Sequence, residues 1–321
     1  MADAIGFVAD ILGIWSFGAD ALSNHIPDAS TYKVRAAVNG YQLNGQGLSG
    51  ADGTISNIKS YNINGNLIGA GDGASIGSGD VAELQAIQND GDSQQSITTE
   101  FYASNDAICI AYITAMMDQE TTGYGWTGDW GYTCGLDWYL SGILLANTVG
   151  SKQSTRCTWI DGDHTNDIQA GVIAISWPDF VGNKSSPPTG DGTNLCGSSL
   201  RAWPNEGGNQ ILSPTGVIAA RQIGPRKSRR SDDRLVVSHL VSHNATELCL
   251  SDTSYGPDFV SISEGVYCNM ETHEVMPVCD DASGGVTSGC LEINGTESPA
   301  ASVAADGSKK ATGHTHVVEW K

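Results

Sequence analysis

The segment 54–87, TISNIKSYNINGNLIGAGDGASIGSGDVAELQAI, decides the fold class of this chain. Short runs rich in Ile, Thr and Tyr alternate there with Asn-Gly, Asp-Gly and Gly-Ser-Gly steps, which are typical of turns. The Asn64-Gly65 step joins the runs Tyr61–Ile63 and Asn66–Ile68 and predicts a β-hairpin. Strands that recur about every ten residues predict an all-β fold, a β-sandwich or jelly roll.

Further strands are predicted on both sides of this segment. Tyr32–Val38 alternates like a half-buried strand, and Ala107–Ile113 is a continuous apolar run typical of a central strand. Gly171–Trp177 is a second such run, and Pro178 ends it. Residues 182–217 are rich in Gly, Ser, Pro and Asn, so we predict a long, partly ordered loop region there.

The N-terminal residues 1–26 are predicted to form an amphipathic helix. Their apolar side chains recur at helical spacing, at Ile5, Val8, Leu12, Trp15, Ala19 and Leu22. The stretch has no Lys or Arg and is therefore not a signal peptide, so we expect the precursor's signal to lie before it. The helix is expected to pack on the body or to bind a membrane or partner.

The cysteines predict disulfide bonds formed in an oxidising compartment. The chain has eight, an even number, and no CxxC pair that would indicate a zinc ribbon or a redox motif. They are Cys109, Cys134, Cys157, Cys196, Cys249, Cys268, Cys279 and Cys290. Three Asn-x-Ser/Thr sequons, at Asn183, Asn244 and Asn294, agree with this compartment. Together they predict a secreted, extracellular glycoprotein.

The charge balance excludes two classes of partner. The chain has 16 basic and 36 acidic residues, a formal net charge of -20. Nucleic-acid backbones and anionic membrane surfaces require clustered Lys and Arg, so we predict neither nucleic-acid binding nor docking on such a membrane. No transmembrane segment is predicted.

One basic cluster stands out against this acidic background. Arg226, Lys227, Arg229 and Arg230 lie within five positions, and in a secreted protein they match a dibasic site for a furin-like or kexin-like processing protease. The alternative is a solvated charge run. Four cysteines precede the cluster and four follow it, and the sequence does not say whether a disulfide crosses it.

These boundaries predict the domain organisation. After the helix come a β-sandwich-like domain (27–217) and a basic processing linker (218–234). A small disulfide-bonded module (235–295) follows, and the Ala-, Ser- and Gly-rich residues 296–321 are predicted to form a flexible tail.

A tryptophan-rich segment is the first candidate binding site. Trp126, Trp130, Trp138 and Trp159 fall close together in sequence, and an exposed indole offers a flat face on which sugar rings stack. They predict a glycan-binding surface, for an extracellular glycan or a host or cell-wall component. The alternative is that these side chains pack over disulfides inside a β core.

The sequence Asp161-Gly-Asp163-His164 is the second candidate, as the centre of a hydrolytic site. Asp167 follows it, and Glu120, Asp129 or Asp137 could supply a partner carboxylate for general acid and base catalysis. A complete calcium loop is not present, and Asp-Gly-Asp is also ordinary turn chemistry.

Other catalytic signatures are weak. His239 and His243, spaced four apart, could share a metal on a helix, but they also suit a strand or helix core; His314 and His316 fall in the predicted tail. The sequence has no Gly-x-Ser-x-Gly elbow, phosphate loop or dinucleotide fingerprint, so we predict no cofactor and no metal site.

Several longer motifs resemble a recurrent family of secreted proteins in filamentous ascomycete fungi. They are NDAICIAYI, GWTGDWGYTCGLDWYLS, CTWIDGDHT, RLVVSHLVSHNATELC, SYGPDFVSISEGVYCNM and HEVMPVC, spread over residues 27–290. The resemblance implies an extracellular location, a signal peptide in the precursor and basic residues before the C-terminal module. It implies no activity and no catalytic residues.

Two hypotheses of function follow. One is a non-enzymatic surface or effector-like module that binds glycans through the tryptophan-rich segment. The other is a secreted hydrolase that acts on polysaccharide, with Asp161, Asp163 and His164 at its centre. Whether the protein is an enzyme is not decided by the sequence.

Overall fold

A computed structural model describes residues 29–36, 41–42, 50–88, 95–116, 123–146, 152–165, 167–180, 195–214, 216–217, 234–279, 290–291, 314 and 316–320. The chain divides into two compact units. The first contains the described residues 29–36 and 51–217, and the second contains 41–42, 50 and 234–320. The predicted helix at 1–26 and the basic cluster 226–230 lie outside the described residues.

The first unit is built mainly from antiparallel strands, which confirms the predicted β character. Its strands are β1 (Ala29–Ala36), β3 (Gly53–Tyr61), β4 (Leu67–Ile76), β5 (Val81–Gln88), β6 (Thr98–Ala103), β7 (Ile108–Met116), β8 (Gly123–Thr127), β9 (Trp138–Ala146), β10 (Lys152–Ile160), β11 (Val172–Ser176), β12 (Leu200–Trp203), β13 (Leu212–Ser213) and β14 (Gly216–Val217). Helix α1 (Asp129–Thr133) follows β8, and a 3-10 helix (Trp177–Phe180) follows β11.

Eleven of these strands form one curled sheet in the order β12-β11-β6-β3-β4-β5-β1-β7-β10-β9, with β8 also paired to β7. A buried polar network joins strands that are distant in this order. The Tyr32 hydroxyl in β1 lies 2.8 Å from Ser60 Oγ in β3 and accepts a hydrogen bond from Thr99 Oγ1 in β6 at 2.8 Å. The indole N–H of Trp177 donates to the same Thr99 oxygen. The curled sheet therefore encloses its own core.

The predicted hairpin is confirmed, with a longer loop than the Asn64-Gly65 step indicates. Tyr61 pairs with Leu67, and the Asn62 side-chain oxygen accepts hydrogen bonds from the backbone N–H groups of Asn64 and Asn66. Gly65 takes a φ of +76°, which glycine adopts without strain. Asn62 thus organises the loop, and Ile63 is exposed rather than part of a strand.

The Asp72-Gly73 step of the opening segment lies in a strand and not in a turn, whereas the predicted Gly77-Ser78-Gly79 turn is confirmed, with the backbone N–H of Asp80 donating to the Gly77 carbonyl at 2.9 Å. β4 runs through Gly71 and Gly73, where a Cβ atom would lie 1.8 Å from the carbonyl oxygens of Gln85 and Ile55, respectively. Only glycine permits the neighbouring strands to approach this closely. Likewise, the predicted loop region 182–217 contains a strand, β12, which pairs with β11.

The second unit is a smaller sheet in the order β18-β17-β16-β15-β19-β2. Its elements are β2 (Tyr41–Gln42), β15 (Arg234–Ser238), helix α2 (Ala245–Leu250), β16 (Asp258–Ser261), β17 (Val266–Asn269), β18 (Glu274–Pro277) and β19 (His316–Trp320). The prediction of a flexible tail over 296–321 is wrong for residues 316–320. They form a strand because Val318 and Trp320 are buried and the backbone pairs with β15.

Four disulfides confirm the prediction from the cysteines, and no cysteine is free. Cys109 is bonded to Cys157 and Cys134 to Cys196. Cys249 is bonded to Cys268 and Cys279 to Cys290. Each disulfide joins two cysteines on the same side of the basic cluster, so none crosses it. Within the described residues, no helix is both long and apolar enough to cross a membrane.

Candidate functional site

The tryptophan surface predicted from the sequence is not present. Trp126 and Trp138 are 0% exposed, Trp159 is 5% and Trp130 is 6% exposed. Trp130 packs edge to face on Phe180. The prediction of a stacking platform is wrong because all four indoles are buried, and Trp126 and Trp130 belong to the hydrophobic core of the first unit.

The Asp161–Thr165 segment has the hydrogen bonds of a turn. Asp161 is 0% exposed, and its carboxylate accepts the backbone N–H of Asp163 at 3.4 Å. Asp163 is exposed and accepts the backbone N–H of Thr165, which lowers the pKa of its carboxyl. His164 has a φ of +58°, and its Nδ1 lies 2.7 Å from the carbonyl oxygen of Ile168. The buried Asp161 carboxylate has no access to a substrate in this conformation.

The carboxylates proposed as partners do not complete a catalytic pair. Asp129 Oδ1 lies 3.1 Å from Arg156 Nη1, and burial raises the pKa of Asp129 although Arg156 opposes that rise. Asp137 is buried, and its Oδ2 accepts the backbone N–H of Gln169. Glu120 lies outside the described residues, as do Asn183 and Asn294.

The histidine pair at 239 and 243 does not lie on a helix. His239 Nε2 is 2.9 Å from Glu319 Oε1, whereas the buried His243 Nδ1 is 2.7 Å from Ser238 Oγ. The two rings therefore have separate partners. Among the described residues, no group of three or more His, Cys, Asp or Glu side chains is arranged to hold a metal ion.

A different surface of the first unit collects aromatic and charged side chains. Four neighbouring strands, β3, β6, β11 and β12, contribute one inward row of fully buried residues, Ile58, Phe101, Ile173 and Ala202. Side chains alternate between the two faces of a strand, so the rows on either side of this one lie on the outer face. One outer row consists of Lys59, Glu100, Ala174 and Arg201. The other consists of Asn57, Tyr102, Val172 and Trp203.

We call Lys59, Tyr61, Glu100, Tyr102, Arg201 and Trp203 the Glu100 face. At its centre, the hydroxyls of Tyr61 and Tyr102 both donate to Glu100 Oε2, Tyr61 at 2.8 Å. Burial, followed by the hydrogen bond and negative charge of Glu100, raises the pKa of Tyr61 to about 12. The same causes raise the pKa of Tyr102. Both phenols therefore stay protonated as donors at physiological pH.

Two cations lie over aromatic rings on this face. Lys59 Nζ is 4.9 Å from the Tyr102 ring centroid and forms an ion pair with Glu206. Arg201 Cζ is 5.4 Å from the Trp203 ring centroid. These cation–π contacts help to fix each ring and its charged neighbour relative to one another.

Two buried polar atoms, one on the Glu100 face and one on Asn57 in the adjoining outer row, have no hydrogen-bond partner in the described part of the protein. They are Asn57 Oδ1 and Arg201 Nε. Buried polar atoms are normally hydrogen-bonded, and leaving one without a partner costs about 1–3 kcal/mol. Their position on one surface makes the Glu100 face the strongest candidate site in the first unit.

No residue of this face stands out in the amino-acid sequence. Glu100 and Tyr102 alternate along β6 with Thr99 and Phe101, as in a two-faced strand, but Glu100 is the one residue of β6 that is not buried, and Tyr102 is 7% exposed. That pattern could have indicated an outward Glu–Tyr pair. The contribution of Tyr61, Arg201 and Trp203 depends on strand pairing across large sequence separations, which the pattern does not show.

Comparisons with known proteins give little guidance. No family model matches this chain, and no curated protein matches it. One similar solved structure is the crystal structure of a LOX variant, 13% identical, with a TM-score of 0.21. The match covers 32% of this chain and 15% of that one, so this chain spans about 15% of that protein's length.

Proposed function

We propose that this protein is a secreted, disulfide-stabilised module that binds a neutral polysaccharide, such as a cell-wall or host glycan, through the Glu100 face. The observation that carries the proposal is the convergence of two tyrosine hydroxyls on one carboxylate beside the Arg201–Trp203 pair. Sugars present both hydroxyl groups and flat apolar faces. This surface offers acceptors, donors and aromatic rings together.

The charges support a neutral ligand rather than a polyanion. Lys59 and Arg201 on the face are balanced by Glu100 and the adjacent Glu206, so the surface has no excess of either sign. The chain as a whole carries a formal net charge of -20 and would repel an acidic polymer. A neutral polysaccharide avoids this repulsion.

The width of the face suits an extended ligand. Tyr102 and Trp203 occupy the same outer row with one strand, β11, between them. Strands are spaced about 4.8 Å apart, so the backbone positions of the two residues are about 10 Å apart along the row. Val172 and Ala174 on β11 lie between the flanking strands and are buried. A polymer that crosses the strands would meet the partly exposed Trp203 on β12 and then the partly exposed Glu100 on β6, whereas Tyr102 is buried and supports Glu100 from within the sheet surface.

Secretion, glycosylation and processing belong to the same proposal. The four disulfides support an oxidising compartment, and the exposed Asn244 supports attachment of a glycan in the second unit. Proteolysis at Arg226–Arg230 would separate two sets of cysteines that share no disulfide. We further infer that the curled sheet acts as a β-sandwich-like scaffold whose outer surface carries the site.

The test is glycan-array screening followed by calorimetry with the best neutral polysaccharide. We expect Glu100→Gln and Trp203→Ala each to weaken binding by about ten- to a hundredfold, because hydrogen bonds to a charged group contribute about 1.5–3 kcal/mol and ring contacts a similar amount. Tyr112→Phe is the matched control, because Tyr112 lies on β7 outside the face. Absence of binding to every neutral glycan, by a folded wild type, would reject the proposal.

The hydrolase alternative has no comparable support. Asp161, Asp163 and His164 share one turn, and the carboxylate of Asp161 is enclosed. Glycosidases place two accessible carboxylates on opposite sides of the sugar. No contact of these residues favours that arrangement, so we do not assign hydrolysis.

A further inference from the structure

A loop of the first unit reaches back over the Glu100 face. Strand β12 ends at Trp203, and Glu206, three residues further on, forms an ion pair with Lys59 on β3. Two strands, β11 and β6, separate β12 from β3, so the backbones of these two strands are about 14 Å apart where the sheet is locally flat. The residues after Trp203 therefore cross part of the outer face. We call residues 204–208 the Glu206 loop.

The loop lies over side chains that an uncovered sheet would expose. Lys59 Nζ is 4.9 Å from the centroid of the Tyr102 ring, so the ion pair lies above that ring. At the start of the loop, a Cβ atom added to Gly171 would lie 2.1 Å from the Pro204 carbonyl oxygen. Tyr102 is 7% exposed, and Val172, which follows Gly171, is 3% exposed, although both belong to the outer row. The Glu206 loop accounts for this burial.

Polar groups of the same region are left with unused hydrogen-bonding capacity. Asn57 Oδ1, next to Tyr102 in the outer row, is buried and has no hydrogen-bond partner among the described residues, and the same is true of Arg201 Nε. Such atoms are normally paired, and a buried one without a partner is unfavourable. A ligand hydroxyl can supply the missing partner only when these atoms are uncovered.

The contacts of the loop allow it to move without disturbing the core. Asn205, Glu206 and Gly207 are exposed, and the Glu206 side chain is 63% exposed. Gly207 has a φ of +74°, and glycine adopts positive and negative φ about equally well. A partly exposed ion pair changes an equilibrium by only about 1.4- to 5-fold. A ligand that binds beneath the loop can therefore displace it.

We propose that the Glu206 loop is a lid on the Glu100 face, latched by the Lys59–Glu206 ion pair, and that the neutral polysaccharide displaces the lid and takes Lys59 as a hydrogen-bond donor. In the open state, the Lys59 ammonium group donates to sugar hydroxyls and Asn57 Oδ1 accepts from one. This inference rests on the proposed function, because it describes how the same site admits its ligand.

The first experiment needs no ligand. Hydroxyl-radical footprinting of the full-length folded protein, read by mass spectrometry, reports how exposed a side chain is. We expect Tyr102 to be oxidised about two- to fivefold faster in Glu206→Gln than in the wild type, because the open population rises when the latch is lost. Glu83→Gln is the matched control, because it removes the ion pair with Lys33 on other strands, and it should leave the rate unchanged. An unchanged rate in Glu206→Gln would overturn the lid.

The second experiment measures affinity for the best neutral polysaccharide by calorimetry. Glu206→Gln should bind about two- to fivefold more tightly, whereas Lys59→Met should bind at least about fivefold more weakly because it also loses a charged donor to the ligand. Added sodium chloride should tighten binding by the wild type and not by Glu206→Gln, because salt screens the latch.

The two halves of the ion pair thus give opposite changes in affinity. Equal losses in Glu206→Gln and Lys59→Met are expected of a merely structural ion pair and would overturn the proposal. If no protein binds any neutral polysaccharide, the proposed function fails, and the footprinting of Tyr102 still decides whether the loop is a lid.

Discussion

The Tyr32 ring in β1 contacts the Phe101 ring in β6 edge to face, with centroids 5.6 Å apart, although three strands separate them in the sheet. In a flat sheet, four strand spacings would place these positions about 19 Å apart. The contact therefore requires the sheet to bend so that one face closes on itself. The same bending encloses Trp177, which stacks on Tyr32 at 5.8 Å.

Tyr32→Phe tests the buried network that accompanies this closure. The change removes a hydroxyl that lies 2.8 Å from both Ser60 Oγ and Thr99 Oγ1 and leaves those groups without one partner. We expect the free energy of unfolding to fall by about 1–3 kcal/mol, measured by chemical denaturation. Tyr112→Phe is the control and should change it by less than about 0.5 kcal/mol. Equal effects of the two variants would contradict the assigned network.

Tyr61 makes the free energy of unfolding depend on pH in the alkaline range. Its pKa is about 12 in the folded protein against an ordinary value of 10.0. The folded state therefore keeps a proton that the unfolded state loses, and stability falls as the pH rises from about 10 to 12. A rapid titration of phenolate absorbance should show delayed ionisation in the wild type, and Tyr61→Phe should remove part of that delay. Ionisation of Tyr61 near its ordinary pKa would contradict its contact with Glu100.

The disulfides that close the longest and the shortest loop should differ in how much they contribute to the free energy of unfolding. The Cys134–Cys196 bond spans a sequence separation of 62, whereas Cys279–Cys290 spans 11. The loop-entropy relation gives losses of about 4 and about 3 kcal/mol when each pair is replaced by serine. These losses can be measured from the free energy of unfolding of each unit, determined separately by hydrogen exchange. A smaller loss for the longer loop would show that strain or residual structure outweighs chain entropy.

Asn244 has two roles that substitutions can separate. Its side-chain oxygen caps helix α2 by accepting the backbone N–H of Glu247 at 2.6 Å, and it is also the acceptor of an Asn-Ala-Thr sequon. Asn244→Asp should retain the cap and lose the glycan, whereas Asn244→Ala should lose both and about 1 kcal/mol of stability. Intact mass from a eukaryotic secretory host reports the glycan. Stability is compared on protein from a host that does not glycosylate.

Processing at the basic cluster has a specific outcome for the disulfides. No bond joins a cysteine before Arg226 to one after Arg230. After cleavage, denaturing electrophoresis should give two fragments with or without a reducing agent. Replacing Arg229 and Arg230 by alanine should prevent the cut and serves as the control. A single cleaved species that separates only after reduction would contradict the assigned connectivity.

Some features of the fold were predictable because their causes are local. Asn62–Asn66 contains the side-chain amides and the glycine that form its loop, so the hairpin was visible in the residues themselves. The number of cysteines likewise predicted that they would be bonded. The strand at Gly71 and Gly73 was mistaken for turns because the reason for those glycines, close backbone approach by other strands, is not local.

The candidate site and the C-terminal strand could not be predicted from the sequence, because both depend on contacts between residues that are distant in the chain. Trp126 and Trp203 are the same residue type, yet one is enclosed and the other lies on the outer face. The residue type cannot predict which tryptophan is buried, because strand register decides the face on which each side chain lies. His314 was placed in a tail from its Ala-, Ser- and Gly-rich surroundings, whereas its partner Asp258 lies far back in the chain.

The sequence by itself therefore determined that this chain forms disulfide-bonded β-structure, because turn residues, side-chain alternation and cysteine number act through near neighbours. Only the tertiary structure decided which cysteines pair, which aromatic rings are buried, and that Tyr61, Glu100 and Arg201 share one surface. The physical reason is that strand pairing joins positions distant in sequence, and the curling of the sheet then assigns each side chain to the core or to the solvent.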